Sequence, residues 1–171
     1  LINQAQGELI ARQDSDDISH HARLEKQYNF LKLKNLDACT TRAKVKDSNK
    51  SIPRLTHFLP TKLVIRYKNP FIHGTLLIRK KVLYEIGLYD ENYKYSQDYK
   101  LYLELLDKKY TIKLLNKQLY ILNMADNIST MYKEEQRQDF KNIKKSYFSW
   151  LNLNSIIFIS ISLKSYFGDQ L

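Results

Sequence analysis

The stretch ARQDSDD, residues 11–17, places three carboxylates in four positions of a chain that is otherwise strongly basic. Asp14 and Asp16 follow the short apolar run ELIA and can offer oxygen ligands to Mg²⁺ or Mn²⁺, usually together with substrate phosphates. Asp and Ser are also common in turns and helix caps, where they accept backbone N–H bonds. A cap needs only one acid, however, and three acids repel one another without a cation. Taken alone, the stretch fits a metal site, an acidic turn or a helix cap.

Asp98 and His73 are the other residues whose types could do chemistry. Asp98 follows Ser96 and Gln97 at the start of a predicted helix. A carboxylate there can stabilise the positive end of the helix dipole or, in a site, act as a general base toward a hydroxyl. His73 follows the loop sequence NPFI, where a strand is predicted to begin. A single His can be a surface or core residue as well as part of a site, so its role is open at this point.

Hydrophobic periodicity predicts alternating strands and helices. We expect strands at 8–12, 38–46 and 73–79, helices from Ile18, at 59–67, at 80–86, from Gln97 and from Lys133 to about Trp150, and consecutive strands in YTIKLLN and QLYILNM. Such alternation indicates an α/β layer architecture. In open α/β sheets ligands bind beyond the carboxyl ends of strands, and the acidic stretch follows the first predicted strand. Its position therefore suits a ligand site.

Composition limits the class of protein. With 171 residues, 43% of them hydrophobic, the chain is large enough for one domain with a core. Its net charge of +10 indicates an anionic partner, which could be nucleic acid, a membrane surface or a phosphorylated molecule. A single cysteine excludes an internal disulfide, and no signal-peptide pattern occurs near residue 1, so we expect a cytoplasmic location. The apolar tail is too interrupted to cross a bilayer but could lie on one.

Together these segments resemble the inverting, nucleotide-sugar-dependent glycosyltransferases of family 2, which have the GT-A fold and build bacterial surface polysaccharides. GELIARQDSDDISHHARLEKQYNFL is similar to the family's strand, Asp-x-Asp motif and following helix. NPFIHGTLLIRKKVLYEIGLYDENYKYSQDYKLYLELL resembles the acceptor-side segment, which ends in a Glu-Asp pair and a helix, and LYILNMADNIS resembles the closing strand and turn. The resemblance covers about residues 1–131, and residues 132–171 form a helical, partly apolar extension with no clear counterpart.

The resemblance implies an α/β fold with a mixed, Rossmann-like sheet flanked by helices, and it implies roles for single residues. Asp14 and Asp16 would hold Mg²⁺ or Mn²⁺ against the donor diphosphate, and the metal would neutralise charge on the departing nucleoside diphosphate. Asp98 would deprotonate the acceptor hydroxyl, so that transfer inverts the anomeric centre. His73 and Gln97 would lie on the acceptor side. The implied partners are a nucleotide-sugar donor and a glycan or lipid-linked acceptor, the latter at the inner face of the plasma membrane.

Three features depart from the family pattern. Gln97 replaces the usual Glu before the catalytic Asp, which keeps hydrogen-bonding capacity but loses a charge. Residues 121–124, Ile-Leu-Asn-Met, stand where many relatives have Tyr-Arg-x-His, so metal affinity is expected to be lower. The βα units that bind the nucleoside in the family would precede Leu1. We therefore expect an incomplete GT-A domain, the C-terminal portion of a catalytic domain whose activity on its own is open.

Other interpretations follow from the same residues. The chain could be an inactive, truncated remnant of a glycosyltransferase. It could be a basic nucleic-acid-binding module in which Tyr rings stack on bases, although the basic residues are spread along the chain and no recognition motif occurs. It could also be a membrane-surface module that uses residues 150–171.

Overall fold

The computed structural model describes residues 2–124 and 132–148. The strands are β1 (Leu9–Ala11), β2 (Ile18–Ser19), β3 (Ala38–Val45), β4 (Ser51–Ile52), β5 (Leu77–Arg79) and β6 (Ile112–Leu122). The α-helices are α1 (Arg23–Leu33), α2 (Thr61–Val64), α3 (Lys80–Glu85), α4 (Gln97–Asp107) and α5 (Lys133–Phe148). Short 3₁₀ helices occur at Ile2–Gln4, Thr56–Phe58 and His73–Thr75.

The strands form one mixed sheet in the order β1-β5-β3-β6-β2, and β4 pairs with β3. β3 and β6 run parallel, with Ala38 opposite Ile112, whereas the other pairings among the described strands are antiparallel. The short strands β1 and β2 therefore lie at opposite ends of this order. Since the acidic stretch connects these two strands, it passes across one end of the sheet.

Helices cover both faces of the sheet. Neighbouring residues of a strand point to opposite faces and therefore pack into different cores. In β3, Ala38 packs into a large core with α3, α4 and α5, whereas Cys39 packs into a smaller core with α1. In β5, Ile78 packs into the large core and Leu77 into the smaller one. The structure confirms the predicted α/β class, with a mixed sheet flanked by helices.

The inner face of α1 is partly polar. Arg23 and Gln27 are buried, whereas the apolar residues Leu24 and Tyr28 are 49% and 40% exposed. The Gln27 amide donates a hydrogen bond to the carbonyl oxygen of Thr75 at 2.8 Å. Buried polar side chains need such partners, and here the partner is the segment that leads into β5. The helix is thus fixed to the end of the sheet by hydrogen bonds as well as by apolar packing.

Helix α5 packs against the start of α4. Phe140 stacks on Tyr99, with 4.1 Å between the ring centroids. Ser96 precedes the first turn of α4 and donates its hydroxyl to the carbonyl oxygen of Gln136 at 3.2 Å, instead of capping its own helix. The Gln136 amide in turn donates to the carbonyl oxygen of Tyr95 at 3.2 Å. Helix α5 therefore fixes the turn at which α4 begins.

Most elements predicted from the sequence are confirmed, and the differences have physical reasons. The helix expected from Ile18 begins only at Arg23, because Ile18 and Ser19 first pair with β6. The strand expected at 73–79 begins as a 3₁₀ turn, and only its second half pairs. The two strands expected in YTIKLLN and QLYILNM are one strand, β6, which keeps its pairing with β3 through shifts in register.

The remaining predicted elements agree with the structure or lie outside it. The strand expected at 38–46 and the helices expected at 80–86 and from Lys133 are confirmed as β3, α3 and α5. None of the helices in the described part of the chain is long and apolar enough to span a membrane. The apolar tail at 149–171 and the Asn-Ile-Ser turn at 127–129 lie outside the described residues. The division of the chain near residue 131 stays a prediction.

Candidate active site

The acidic turn is fixed to β5 and β6 by backbone hydrogen bonds. The N–H of Arg12 donates to the carbonyl oxygen of Leu76 at 2.8 Å, which extends the pairing of β1 with β5. The N–H of Asp17 donates to the carbonyl oxygen of Asp14 at 3.3 Å and closes the turn. The N–H of Asp14 donates to the hydroxyl of Tyr120, on β6, at 3.2 Å. These bonds set where the three carboxylates can lie.

The carboxylate of Asp14 is partly buried and paired. Its Oδ1 accepts from Nε of Arg12 at 3.1 Å and lies 3.0 Å from Nη2 of the same guanidinium. Its Oδ2 lies against Gly74, where an added Cβ would be 2.8 Å from Oδ2 and would also collide with the hydroxyl of Tyr120. The missing side chain at position 74 therefore makes room for the Asp14 carboxylate.

Asp16 and Asp17 differ in their surroundings. Asp16 is exposed, and its carboxylate forms no hydrogen bond or ion pair with the part of the chain that the structure describes. Asp17 is partly buried and accepts the N–H of Asn123 at 2.7 Å. Burial raises the pKa of Asp17, although the N–H of Asn123 opposes the rise. The helix-cap interpretation of this turn is wrong, because β2 separates it from α1, and Ala22 precedes α1 without a side-chain cap bond.

Asp98 lies in the first turn of α4 with both carboxylate oxygens bonded. Oδ2 accepts from the side-chain amide of Asn69 at 2.6 Å, and Oδ1 accepts from the N–H of Tyr99 at 2.8 Å. Burial raises the pKa of Asp98, while these two hydrogen bonds and the charge of Arg12 oppose the rise. A carboxylate with a raised pKa is a stronger base than an exposed one, which suits proton transfer from a hydroxyl.

His73 lies between two tyrosines. Its Nδ1 is 3.3 Å from the hydroxyl of Tyr102, and its Nε2 is 3.2 Å from the hydroxyl of Tyr89. Both rings meet the imidazole edge to face. Burial, together with the nearby charge of Arg12, lowers the pKa of His73 to about 3. The imidazole is therefore neutral at physiological pH.

The structure brings Asp14, His73 and Asp98 into one connected cluster. Arg12 pairs with Asp14, and its charge acts on Tyr89, which contacts His73. The charge of Arg12 acts on His73 and Asp98 as well. Three residues that the sequence singled out separately thus each interact with the charge of Arg12.

Two open clefts are lined by residues that are next to Asp98 in the chain or bonded to it. A cleft of about 690 Å³ is lined in part by Arg12, Tyr89 and Gln97, so Gln97 lies beside the acidic turn. A second cleft, of about 640 Å³, is lined in part by Asn69, the hydrogen-bond partner of Asp98. Both spaces are of a size that ligands occupy, and Asp98 itself is not among the residues that line them.

Three residues of the cluster were missed in the sequence. The position of Arg12 could have been inferred, because alternate residues of a strand point to the same side and Arg12 stands two positions before Asp14. No sequence pattern singled out Tyr89 and Tyr102, since the chain contains 13 tyrosines and only the fold brings these two to His73.

The donor atoms around the turn suit a hard divalent cation held jointly with a phosphate. Within residues 2–124 and 132–148, no group of three or more His, Cys, Asp or Glu side chains could hold a metal. Mg²⁺, however, commonly uses one or two carboxylates together with phosphate and water. Asp16 offers an exposed carboxylate with no bond to the described residues, and Arg12 already occupies one oxygen of Asp14. The residues fit a shared site rather than a closed protein site.

The fold is that of glycosyltransferases with known structure. The described chain is similar to S. aureus TarS 1-349 in complex with UDP-GlcNAc, with a TM-score of 0.63 over 83% of this chain and 43% of that one. Sequence identity in this match is 18%, so the likeness concerns the fold. It agrees with the GT-A architecture that the sequence predicted.

The chain belongs to glycosyl transferase family 2, whose family model matches residues 1–89, just over half of its 171 residues. It is 30% identical to the O-antigen biosynthesis glycosyltransferase WbnJ of Escherichia coli over 125 residues, covering 71% of this chain and 49% of the relative. It is 26% identical to the glycosyltransferase MJ1057 of Methanocaldococcus jannaschii over 153 residues, covering 84% and 52%. The chain thus spans about half the length of these relatives.

Gly74→Ala tests whether the close approach of Asp14 and Tyr120 depends on glycine. The added Cβ has to displace the Asp14 carboxylate or the Tyr120 hydroxyl, so we expect a loss of about 1–3 kcal/mol in the free energy of unfolding, as for other overpacked sites. Gly7→Ala is the matched control, because its Cβ would meet only backbone atoms of Leu9, the nearer being the carbonyl oxygen at 3.4 Å. Denaturant unfolding that gives equal stabilities for the two variants would contradict the geometry.

Proposed function

We propose that this chain carries the metal and acceptor sites of an enzyme that transfers a sugar from a nucleotide-diphospho-sugar to a hydroxyl acceptor with inversion. The observation that carries the proposal is the interaction of Arg12 with both Asp14 and Asp98, beside a cleft that Arg12 and Gln97 line. Membership of glycosyl transferase family 2 supports sugar transfer as the reaction class. The likeness to TarS, solved with UDP-GlcNAc, supports a nucleotide-sugar donor.

In this proposal Asp98 is the general base. Its carboxylate accepts the proton of the acceptor hydroxyl while the oxygen attacks the anomeric carbon from the side opposite the diphosphate. One displacement of this kind inverts the anomeric configuration. The raised pKa favours proton uptake, and the bonds from Asn69 and Tyr99 fix the direction of the carboxylate. His73 cannot replace it as the acid–base group, because with a pKa of about 3 it is a very weak base.

In this proposal Asp14 and Asp16 would hold Mg²⁺ or Mn²⁺, and the cation, when bound, would offset the negative charge of the departing diphosphate. Arg12, which pairs with Asp14 at 3.0 Å, lies where it can contribute further positive charge to the same group. Gln97 lines the cleft that contains Arg12 and can orient a sugar hydroxyl through its amide.

The similarity to WbnJ, whose name places it in O-antigen biosynthesis, supports a role in bacterial surface polysaccharide or lipopolysaccharide synthesis. The acceptor would then be a glycan or a lipid-linked glycan at the inner face of the plasma membrane. The excess of Lys and Arg over acidic residues, which gives the net charge of +10, favours approach to such an anionic surface.

Asp98→Asn tests the proposed base. The amide keeps the size of the side chain but cannot accept the proton, so we expect kcat for sugar transfer to fall by about 10²–10⁴-fold while donor affinity is retained. Transfer would be measured with the complete protein that the gene encodes, using radiolabelled UDP-sugars, UDP-GlcNAc among them, and bacterial envelope acceptors. Asp107→Asn, an exposed position at the end of the same helix, is the control. Equal rates for the two variants would exclude Asp98 as the base.

Asp16→Ala tests the proposed metal site. Removal of an exposed carboxylate that bonds no other described residue should leave stability within about 0.5 kcal/mol of the parent. We expect binding of UDP-GlcNAc, measured by calorimetry with and without Mn²⁺, to lose its dependence on the metal. Asp47→Ala, in the exposed loop after β3, removes the same charge away from the site. An undiminished effect of Mn²⁺ in Asp16→Ala would argue against the assignment.

Asn69→Ala tests the environment of Asp98 through the pH dependence of transfer. The Asn69 amide favours the ionised carboxylate, so its removal should raise the pKa of Asp98 further. A base is active only when ionised, and the rate is lost as pH falls through its pKa. The variant should therefore lose activity at a higher pH than the parent, by about one pH unit, because a hydrogen bond to a charged group contributes roughly 1.5 kcal/mol.

The control for this shift is Asn116→Ala, which removes an amide that accepts from Arg42 at an exposed position on β6. The low-pH side of its pH–rate profile (the acidic limb) should coincide with that of the parent. An acidic limb of Asn69→Ala that is unmoved, or displaced to lower pH, would show that the titrating group is not Asp98.

A further inference from the structure

His73 has a hydrogen-bond partner at each ring nitrogen, and each partner faces a different charge. Tyr89, at Nε2, is acted on by the positive charge of Arg12. Tyr102, at Nδ1, is fully buried, and the strongest charge acting on its hydroxyl is that of Asp98. The imidazole therefore lies in a row of polar groups with a cation at one end and a carboxylate at the other.

The two charges set the direction of the hydrogen bonds in this row. The guanidinium of Arg12 is cationic and attracts the oxygen of Tyr89, so the Tyr89 hydroxyl proton is directed away from it, to Nε2 of His73. A neutral imidazole that accepts at Nε2 carries its proton on Nδ1 and donates it to the oxygen of Tyr102. The Tyr102 proton is then attracted toward the negative charge of Asp98. All dipoles point from cation to anion, an arrangement in which neighbouring hydrogen bonds strengthen one another.

We propose that His73 is a positioning residue, held in its neutral Nδ1–H tautomer, that links Arg12 beside the Asp-x-Asp turn to the helix carrying Asp98. This inference rests on the proposed role of Asp98 as the base. It assigns His73 to the connection between the acidic turn and α4 and not to the contact with the acceptor that the sequence suggested. The row Arg12–Tyr89–His73–Tyr102 joins the acidic turn, the loop after α3, the 3₁₀ turn before β5 and the middle of α4.

Neutrality suits this role, because an uncharged imidazole offers one donor and one acceptor and so can continue a row in one direction. A cationic imidazole would donate at both nitrogens, which would reverse one bond and place a second positive charge near Arg12. The burial that lowers the pKa of His73 to about 3 prevents this. Loss of either end leaves a polar group of the row without a partner.

The tautomer can be measured without turnover, by ¹⁵N NMR of protein labelled at histidine. We expect the pattern of a neutral ring protonated at Nδ1, unchanged across the physiological pH range. Asp98→Asn should shift the His73 signals because it removes the anion at the end of the row, whereas Asp107→Asn should leave them in place. A neutral His73 ring protonated at Nε2 would overturn the proposal, as would His73 signals that do not shift in Asp98→Asn.

Kinetics of Tyr89→Phe test the consequence for catalysis, with Tyr84→Phe as the matched control. Tyr84 is 45% exposed on α3, and its hydroxyl bonds Asn3 outside the row. We expect Tyr89→Phe to lower kcat by roughly 10–100-fold, the usual cost of losing an orienting partner, while KM for UDP-GlcNAc changes little. His73→Gln, which keeps an acceptor for Tyr89, should recover part of the activity that His73→Ala loses.

Equal kcat values for Tyr89→Phe and Tyr84→Phe would overturn the proposal, as would a loss that appears only in KM. If Tyr89→Phe does not fold, the His73 tautomer measured by ¹⁵N NMR in the parent protein tests the proposal instead. Failure of the proposed function gives a different result, because the parent would then show no sugar transfer while the NMR measurement still reports the direction of the row.

Discussion

The buried guanidinium of Arg23 holds together the segments on which the site depends. Only 3% of this residue is exposed, and it donates to the carbonyl oxygens of Gly74 and Arg12, each at 3.0 Å. It also lies over the ring of Tyr120, 5.3 Å from the centroid. Burial lowers the pKa of Arg23, and the hydrogen bonds from Nη1 and Nη2 offset part of the cost of burying the charge, although Nε has no partner among the described residues. Without it, the acidic turn and the segment with His73 would lose their common anchor.

This constraint explains why the inner face of α1 is polar. A helix that only covered a sheet would present an apolar stripe, whereas Arg23 and Gln27 reach the backbone of the segments that cross the end of the sheet. Those segments have no strand partner there, so their carbonyl groups need side-chain donors. The chain thus uses buried polar residues of one helix to order the backbone from which Asp14 and His73 project.

Sequence patterns predicted the parts of the fold that depend on local periodicity. Helix α4, with Tyr99 and Tyr102 on its buried face, and strand β3 were predictable because their apolar spacing matches one period over many residues. The start of α1 was not predictable, because β2 consists of two residues whose strand form depends on pairing with β6. Asp14, Asp16 and Asp98 could be singled out by residue type and by their order along the chain. The residues around them could not, since Asn69, Tyr89 and Arg23 reach the site through tertiary contacts that leave no local pattern.

Burial has opposite effects on the two ionisable groups that flank Tyr102, and the difference defines what each can do. It raises the pKa of Asp98 and lowers that of His73, since in both cases the charged form is disfavoured. For the carboxyl group this produces a stronger base, while the bonds from Asn69 and Tyr99 limit the rise so that the ionised form stays accessible. For the imidazole it removes acid–base chemistry at working pH and leaves only hydrogen bonding. One low-dielectric environment thus separates a group suited to proton transfer from a group suited to positioning.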